Sequence, residues 1–257
     1  MKGRGAQFNT DNPFAAHRKA KHPDLTFSAP TNEVETEYLE THAKTIINKV
    51  ESPDIGLEYS MNPYQGCEHG CVYCYARNTH PYWGYSAGVD FESKILIKRE
   101  APQLLAKKLA SPKWVPSPIM LSGNTDCYQP IEAKLKITRQ ILEILERFQH
   151  PVGIITKSAL ILRDIDIISR MAEKRLVSVA VSINTLDESL RRQLEPRTTT
   201  LQRRLQVIEE MSKAGVHVHA MLAPIIPGLN DHEIMDLMEA VSKAGAKNAG
   251  YIIVRLN

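Results

Sequence analysis

"GCEHGCVYCYAR", residues 66–77, places three of the chain's four cysteines within eight positions. Cys67, Cys71 and Cys74 follow the spacing C-x3-C-x2-C, and no fourth cysteine lies nearby. Three thiolates can each bind one iron of a cubane 4Fe–4S cluster, which leaves the fourth iron without a protein ligand and open to a small molecule. Glycines at positions 66 and 70 give the backbone the freedom that wrapping around a cluster requires. The stretch therefore predicts an iron–sulfur site with one open iron.

Two other interpretations of these cysteines stay open at this point. With His69 or His80, the three cysteines make up a Cys3His zinc set, although zinc signatures usually pair C-x2-C with a distant second pair. Alternatively, they are unrelated residues of a hydrophobic core. Four cysteines, three of them clustered, are not typical of a secreted disulfide framework, and such clusters in a reducing compartment more often bind metal.

From Leu57 onward, short β-rich runs alternate with helical patterns. The predicted strands span residues 57–61, 119–122, 152–156, 176–183, 216–223 and 251–254. Apolar residues at helical spacing form three faces between them, which are Leu135, Ile141, Leu142, Leu145 and Phe148; Leu201, Leu205, Ile208 and Met211; and Ile234, Leu237, Met238 and Val241. Strands that alternate with helices pair in parallel through crossovers. We therefore expect an α/β fold, a partial (β/α)6 barrel that lacks its last helix.

The cysteines follow the first predicted strand. In barrels of parallel strands and helices, the loops after the carboxyl ends of the strands build the active site. The sequence therefore places the cysteine cluster at that mouth.

We divide the chain into an N-terminal arm, residues 1–56, and a core domain, residues 57–257. Residues 1–22 carry five Lys/Arg and one acid, whereas residues 23–56 carry seven acids and two lysines. We expect a solvated arm that lies on the domain, the alternative being a basic strip that contacts a polyanionic substrate. The sequence stops three residues after the sixth strand, so we expect the natural reading frame to continue past Asn257. A stop codon directly after Asn257 would contradict this expectation.

Composition limits the function classes. The 257 residues, 43% of them hydrophobic, suffice for one sizeable core. The 32 basic and 29 acidic residues are too balanced to predict nucleic-acid or membrane binding. No N-terminal run has the pattern of a signal peptide, and no apolar stretch approaches the roughly 20 residues of a membrane span. We expect a cytoplasmic protein with no membrane partner.

Several motifs together resemble a known family. C-x3-C-x-aromatic-C after a first strand is the signature of radical S-adenosylmethionine (SAM) enzymes. The stretches "NPYQGCEHGCVYCYAR", "SGNTDCYQPIE", "ITKS", "LEPR" and "APIIPGLND" resemble successive motifs of the bacterial radical enzymes grouped with spore photoproduct lyase, a DNA repair lyase. The opening "GRGAQFN" is similar to the N-terminal signature of an uncharacterised branch of that group. The resemblance spans nearly the whole chain.

The resemblance implies a 4Fe–4S cluster and SAM as cofactors. In the family, the open iron chelates the amino and carboxylate groups of SAM, and an electron from the reduced cluster cleaves the sulfonium to give methionine and a 5'-deoxyadenosyl radical. That radical removes a hydrogen atom from the substrate, while the barrel holds the reactants in register. An electron donor such as flavodoxin or ferredoxin is implied as a partner, and a nucleic-acid substrate rests on the resemblance alone.

The family pattern also assigns cofactor-binding residues. Tyr73 occupies the aromatic position beside the adenine, where an offset ring contact is worth about 1 kcal/mol. Many members carry Gly-Gly-Glu after the second strand to receive the methionine ammonium, but this chain lacks the glutamate and has Ser122-Gly123-Asn124-Thr125-Asp126. Ser122, Thr125 or Asp126 then accepts the ammonium, or the stretch is a polar turn stabilised by its own side chains.

Four further residues are candidates at the mouth. Lys157 follows the third strand, where a cation can pair with the cofactor carboxylate, and Ser182 at the end of the fourth strand offers a hydroxyl to the same group. Glu195 and Arg197 of "LEPR" are candidates for the ribose and the carboxylate, or they pair with each other on the surface.

Cys127 is the one candidate catalytic residue outside the cluster. It stands where the lyase-like branch commonly has proline, and a thiol is a good hydrogen-atom donor; the alternative is a small buried hydrophobic residue. His217 and His219 share one face of the fifth strand, and we expect that face to point away from the barrel interior.

Two functions compete on this sequence. The first is a radical SAM enzyme of unknown, lyase-like reaction. The second is a non-catalytic metal-binding module, which is an iron–sulfur protein for electron transfer or sensing, or a Cys3His zinc protein. Ligation of the metal by four side chains would favour the second.

Overall fold

A computed structural model describes residues 3–14, 34–51 and 57–255 of the chain. The predicted boundary between arm and core, at residues 56 and 57, adjoins residues 52–56, which lie outside the described residues. Arg18, Lys19 and Lys21 of the predicted basic strip also lie outside them. The division of the chain into arm and core stays a prediction.

The described residues contain ten strands, which build two sheets. They are β1 (Glu37–Glu40), β2 (Ile47–Lys49), β3 (Tyr59–Met61), β4 (Tyr64–Gln65), β5 (Lys94–Ile97), β6 (Ile119–Leu121), β7 (Val152–Thr156), β8 (Val177–Ser182), β9 (His217–Ile225) and β10 (Asn248–Ile253). The larger sheet has the order β10-β9-β8-β7-β6-β3-β2, and β3 and β6 to β10 run parallel. These six strands are the six predicted ones, and their sequential order confirms the partial (β/α)6 barrel.

In the part of the chain that the structure describes, eight α-helices connect and cover the strands. They are α1 (Val89–Ser93), α2 (Ala101–Leu109), α3 (Glu132–Leu135), α4 (Ile137–Arg147), α5 (Ile165–Glu173), α6 (Glu188–Leu194), α7 (Leu201–Lys213) and α8 (Ile234–Lys243). Two of the three predicted apolar faces fall on α7 and α8. The first does not fall on one helix, because Leu135 ends α3, Ile141, Leu142 and Leu145 lie on α4, and Phe148 directly follows α4. Within the described residues, no helix is long and apolar enough to cross a membrane.

The two faces of the large sheet differ in side-chain chemistry. On β8, Val177, Val179 and Val181 belong to the main hydrophobic core, which packs against the helices. The alternating residues Ser178, Ala180 and Ser182 lie on the opposite, inner face of the sheet. Small and polar side chains on this face leave room inside the barrel.

His217 and His219 lie on the inner face, contrary to expectation. Val218 between them is fully buried in the core, and the two histidines pair in register with Ser178 and Ala180. Both imidazoles line a cavity of about 280 Å³ on that face. The prediction that the two histidines point away from the barrel interior was wrong, because Val218 packs on the helix-covered face and the histidines, on either side of it, lie on the opposite face.

Residues assigned to the arm contribute strands. β1 pairs in parallel with β5, and β5 pairs antiparallel with β4, which forms a three-stranded sheet beside the cysteines. β2 pairs antiparallel with β3 at the edge of the large sheet. The arm is therefore joined to the core by backbone hydrogen bonds rather than merely resting on it.

Candidate functional site

The cysteine loop, residues 66–74, begins directly after β4. Cys67 and Cys71 are buried and Cys74 is half-buried, and all three are free thiols. The Cys67 N–H donates to the Phe91 carbonyl at 2.8 Å, and Arg77 Nη2 donates to the Cys71 carbonyl at 2.9 Å. The loop is thus held through its backbone, which leaves the sulfurs available as ligands.

Glycines shape the turns of this loop. Gly66 and Gly70 have φ of +77° and +67°, the left-handed region that favours glycine. A Cβ at Gly66 would lie 2.8 Å from the Lys94 carbonyl oxygen, and a Cβ at Gly70 would lie 2.8 Å from Glu92 Oε2. Side chains at these positions would displace the loop from β5 and α1.

Burial raises the pKa of all three cluster thiols. Burial, together with the negative charge of the Glu195 carboxylate, raises the pKa of Cys71 to about 12. Burial also raises the pKa of Cys67 well above its usual value. The pKa of Cys74 is also raised by burial. Metal binding to such thiols releases protons, because the thiolate is the ligand.

The three free thiols of this loop match the donor set of a 4Fe–4S cluster with one open iron. A zinc site would need the three cysteines and a histidine around one point, but no three His, Cys, Asp or Glu side chains are so arranged in the part of the chain that the structure describes. A 4Fe–4S cluster binds each sulfur at a different iron. The residues present therefore fit the cluster that the sequence resemblance implies.

The histidines of the zinc alternative have other environments. His69 is buried, with Nδ1 3.4 Å from Asp126 Oδ2. His80 is also buried, and neither ring nitrogen has a hydrogen-bond partner within the described residues. Its ring lies edge-on to Phe91 with centroids 5.5 Å apart.

A buried carboxylate lies beside the cysteine loop. Glu195, which has no exposed surface, accepts hydrogen bonds from the Tyr73 hydroxyl on one oxygen and from Arg204 on the other. Tyr73 stands between Cys71 and Cys74 in the sequence, so this contact ties the cysteine loop to the loop after α6. Burial raises the pKa of Glu195, but the positive charges of Arg204 and Lys157 outweigh it, and the net pKa is lowered.

Arg204 joins three parts of the barrel. Its guanidinium is fully buried and donates to Glu195, to Thr198 Oγ1 at 2.5 Å, to the Ser182 carbonyl at 3.0 Å and to the Thr199 carbonyl at 2.9 Å. The end of β8, the loop before α7 and α7 itself are thereby fixed relative to one another. A guanidinium that is excluded from water needs such a set of hydrogen-bond acceptors to compensate for the loss of its hydration.

Lys157 follows β7 and reaches the same place. Its ammonium lies 6.0 Å from the centroid of the Tyr73 ring. Burial lowers its pKa, but the negative charges of Cys71 and Glu195 outweigh burial and the net pKa is raised. No carboxylate lies within 4.0 Å of the ammonium among the described residues, so this half-buried cation lacks a direct ion pair.

Arg197 and Glu195 do not pair with each other. Arg197 Nη2 lies 3.4 Å from Glu68 Oε2 in the cysteine loop, and its N–H donates to the His69 carbonyl at 3.2 Å. Glu68 is buried and also accepts from the Tyr38 hydroxyl at 3.2 Å. The alternative interpretation, a surface ion pair between Glu195 and Arg197, is therefore wrong. Both residues instead attach the "LEPR" stretch to the cysteine loop.

Hydrogen bonds within the loop after β6, and from this loop to Asn62 and Tyr64, stabilise its conformation. Ser122 has φ of +73°, and its Oγ accepts from the Cys127 N–H at 2.7 Å. The Thr125 hydroxyl donates to the Tyr64 carbonyl at 2.6 Å. Asn62 Oδ1 accepts from the N–H groups of Asn124 and Thr125 at 2.9 and 3.3 Å. Ser122 and Thr125 thus have structural partners already.

Asp126 connects three loops at the mouth. Its carboxylate accepts from Thr156 Oγ1 at 2.8 Å, from the Lys157 N–H at 2.8 Å and from the Tyr128 N–H at 2.9 Å. His69 of the cysteine loop lies against the same group. These contacts make Asp126 a brace between β6, β7 and the cysteines.

The end of β8 offers polar groups to the inner face. Ser182 is buried and its hydroxyl donates to the Ala223 carbonyl at 3.3 Å. Asn184, two residues on, is fully buried, and its carboxamide has no hydrogen-bond partner within the described residues. Buried polar atoms are nearly always paired, so this amide marks a place that a polar ligand can complete.

Cys127 lies apart from the cluster. It has no exposed surface and belongs to the main hydrophobic core, as do Tyr64 and Tyr128. Burial raises the pKa of its thiol well above the usual value. This placement favours the packing role that the sequence also allowed.

Sequence reasoning missed Arg204, Asn184 and the carboxylates of Glu68 and Glu92. A signal for Arg204 was present, since it falls at helical spacing on the apolar face of α7 with Leu201, Ile208 and Met211. A charged residue on a buried stripe indicates a partner in the core. The other three gave no such pattern.

Comparisons with known proteins agree with this geometry. The model of the radical SAM superfamily matches residues 61–241. An uncharacterised protein of Mycobacterium tuberculosis is 35% identical over 210 residues, which cover 80% of this chain and 62% of that protein. An uncharacterised protein of Methanocaldococcus jannaschii is 32% identical over 197 residues, covering 77% of this chain and 71% of that one.

A solved structure has the same fold. Spore photoproduct lyase with bound AdoMet and dinucleoside spore photoproduct superposes with a TM-score of 0.62, covering 86% of this chain and 63% of that chain at 16% identity. At this identity the likeness concerns the fold alone. The chain spans about three fifths of the length of the mycobacterial relative.

Proposed function

Because this chain belongs to the radical SAM superfamily, whose members use a 4Fe–4S cluster and SAM, we propose that it is a radical SAM enzyme that abstracts a hydrogen atom from its substrate. The observation that carries the proposal is a set of three free thiols, two of them buried and that of Cys74 half-buried, in one loop whose backbone is held from several sides. Cys67, Cys71 and Cys74 would hold the cluster.

When bound, the reduced cluster and SAM supply the 5'-deoxyadenosyl radical. The chain's own part is to bind and orient the cofactor. Tyr73 presents an aromatic ring whose hydroxyl is fixed by Glu195, which suits an adenine contact. Lys157 offers a half-buried ammonium without a direct ion pair, which suits a carboxylate.

The remaining predicted cofactor residues support the site in two ways. Ser122, Thr125 and Asp126 set the shape of the loop after β6, so that its backbone carbonyls rather than a glutamate would receive the methionine ammonium. Ser182, Glu195 and Arg197 hold the far side of the mouth, and the unpartnered amide of Asn184 is a further acceptor and donor there.

The substrate we propose is a nucleic acid. The support is the likeness to the lyase-like branch and a solved neighbour that is bound to a dinucleoside photoproduct. The net charge of +3 is too small to indicate a substrate by itself. An electron donor such as flavodoxin or ferredoxin would supply the reducing electron.

The test is an anaerobic cleavage assay. Protein loaded with iron and sulfide is reduced with dithionite in the presence of SAM, and 5'-deoxyadenosine is measured with and without photodamaged DNA. We expect an iron–sulfur absorbance, a perturbed cluster signal on SAM addition and formation of 5'-deoxyadenosine.

The substitution Cys71→Ala should abolish 5'-deoxyadenosine formation, and Cys127→Ala serves as the matched cysteine control. A fully loaded wild-type cluster that leaves SAM intact would contradict the enzymatic proposal and favour an electron-transfer or sensor protein. Cleavage that no nucleic acid stimulates, and that leaves every DNA lesion unchanged, would overturn the substrate proposal only.

A further inference from the structure

We propose that the N-terminal strap, residues 3–12, is a positioning element that holds the cysteine loop in its cluster-binding shape, with Glu92 as the connecting group. This inference rests on one part of the proposed function, which is that the cysteine loop binds a 4Fe–4S cluster. It assigns a role to the "GRGAQFN" stretch, which the site described above does not use.

Glu92 lies between the strap and the cysteines. The carboxylate is fully buried on α1 and accepts from the Gly5 N–H at 3.0 Å and from the Ala6 N–H at 2.7 Å. Arg77 Nη2 donates to the same carboxylate at 2.5 Å and to the Cys71 carbonyl at 2.9 Å. A path of three hydrogen bonds, through the side chains of Glu92 and Arg77, therefore runs from the strap backbone to Cys71.

The strap also contacts the loop directly. A Cβ at Gly5 would lie 2.0 Å from the carbonyl oxygen of Gly70, the residue directly before Cys71. This distance is impossible for a real carbon atom, and the obstacle is backbone rather than a flexible side chain. Only glycine at position 5 allows the two backbones to approach this closely.

Other bonds fix the strap on both sides of this contact. Arg4 donates to the carbonyls of Glu92 and Val34, each at 2.7 Å. Asn9 and Asp90 exchange two hydrogen bonds, at 3.0 and 2.9 Å, and the Thr10 N–H donates to Ser86 Oγ at 2.7 Å. The strap is thus attached along its length to the segment that follows the cysteine loop.

Hydrogen-bond energetics couple the strap to the cysteine loop through Glu92. For a buried carboxylate, losing two N–H donors costs more than losing an exposed hydrogen bond, because buried oxygens find no water in their place. Removing the strap would take two donors from Glu92 and leave Arg77 as its remaining strong partner. Arg77 would then move with Glu92 and release the Cys71 carbonyl.

The experiment compares three full-length variants. Gly5→Ala breaks the contact with Gly70, and Arg4→Ala removes the neighbouring anchor should the first variant fold poorly. Phe8→Ala is the matched control, because the Phe8 side chain is 71% exposed and its carbonyl bond to Val89 survives the change.

Two measurements follow for each protein. In the cluster-free protein, the maleimide labelling rate of each cysteine is read by mass spectrometry. After anaerobic loading, iron retained against a chelator is measured and the paramagnetic resonance spectrum of the reduced cluster is recorded. We expect labelling of Cys67 and Cys71 to quicken about tenfold in Gly5→Ala and Arg4→Ala, as local opening becomes easier, with Cys127 unaffected.

Retained iron should fall severalfold in these two variants and the cluster spectrum should broaden, while Phe8→Ala matches wild type. Unchanged labelling and unchanged iron in a folded Gly5→Ala or Arg4→Ala protein would overturn the strap proposal. The labelling rates are measured without cluster and without SAM. A failure of the strap proposal is therefore distinguishable from a failure of the proposed SAM cleavage activity.

Discussion

Glu195 and Arg204 illustrate how a single buried pair can organise this site. Neither side chain has appreciable exposure, and their contact joins the Tyr73 hydroxyl to the end of β8. Two charges removed from water gain little net stability together, but either one alone is strongly unfavourable. The pair is therefore better understood as fixing geometry than as adding stability.

Replacing Arg204 by methionine should be severely destabilising. The change leaves the Glu195 carboxylate buried without its cation, which costs about 3–5 kcal/mol of unfolding free energy. Urea unfolding measures this loss. The control is Arg203→Met on the next residue, whose exposed contact with Glu210 at 3.4 Å should be worth less than about 1 kcal/mol. Equal losses in the two variants would contradict the role given to Arg204.

Lys98 predicts a pH-dependent stability. It is buried, its ammonium donates to the Asn62 carbonyl at 3.0 Å, and burial lowers its pKa to about 8. Between pH 8 and 10.5 the unfolded chain keeps a proton that the folded chain has lost, so stability rises with pH over this window. Wild type should gain about 3 kcal/mol relative to Lys98→Met between pH 7 and pH 10.

Urea unfolding at pH 7 and pH 10 checks this difference. Lys107→Met, at an exposed position of α2, should follow the wild-type profile. A Lys98→Met profile parallel to wild type would show that the buried amine does not titrate in this window.

The hydrogen-donor role of Cys127 also has a direct test. Because the residue is fully buried in the core, we expect Cys127→Ala to lower the unfolding free energy by about 1–2 kcal/mol and to leave 5'-deoxyadenosine and product formation unchanged. Altered product in a stable variant would instead support the donor role.

At this scale the spacing of Cys67, Cys71 and Cys74 predicts a cluster site, and the structure places the three free thiols in one loop. The sequence did not predict the partners of Glu195 and Arg197. Those partners come from Arg204 and Glu68, nine and 129 residues away, and depend on how the loops meet in space. Local pattern contains no information about such pairs.

At the scale of elements, the six parallel strands were predictable and the four additional strands were not. β6 to β9 contain apolar runs flanked by amphipathic helices, and β7 and β8 are also rich in β-branched residues, so the sequence pattern identifies them. β1, β2 and β4 have two to four residues and mostly exposed or polar side chains. Pairing with neighbours, rather than propensity, makes them strands.

The loop after β9 depends on one asparagine. Asn230 is fully buried and donates to the carbonyls of Asn184 and Pro224 at 2.6 and 3.1 Å, while its Oδ1 accepts from the Ile226 N–H at 2.6 Å. Asn230→Asp should cost about 2–4 kcal/mol, because a carboxylate would face two carbonyls without a proton to donate.

Thermal unfolding of Asn230→Asp measures this cost. The matched control is Asp231→Asn, which keeps an exposed side-chain oxygen that accepts from the Gly228 N–H at 2.9 Å. If both exchanges lowered the melting temperature equally, Asn230 would not be the residue that pins this loop to β8.

At the scale of the whole molecule, SAM should stabilise the loaded protein. A ligand at a hundred times its dissociation constant adds about 2.7 kcal/mol to the folded state, which for a chain of this size raises the melting temperature by about 5–10 °C. Differential scanning fluorimetry under anaerobic conditions measures the shift. Protein without the cluster is the control, and the same shift in both forms would contradict a cofactor site that depends on the open iron.

The contact between Gly5 and Gly70 has a consequence for biosynthesis. Residues 3–12 leave the ribosome before Glu92 does, and Gly5 finds this residue, 87 positions later, only when it has also emerged. At 5–20 residues per second, this interval lasts about 4–17 s. The three cysteines are synthesised 25 to 18 residues before Glu92, so for about the last 1–5 s of this interval their reduced thiols lie on a nascent chain that cannot yet enclose them. Iron delivery is therefore best timed late in translation or after it, once both ends of the contact are available.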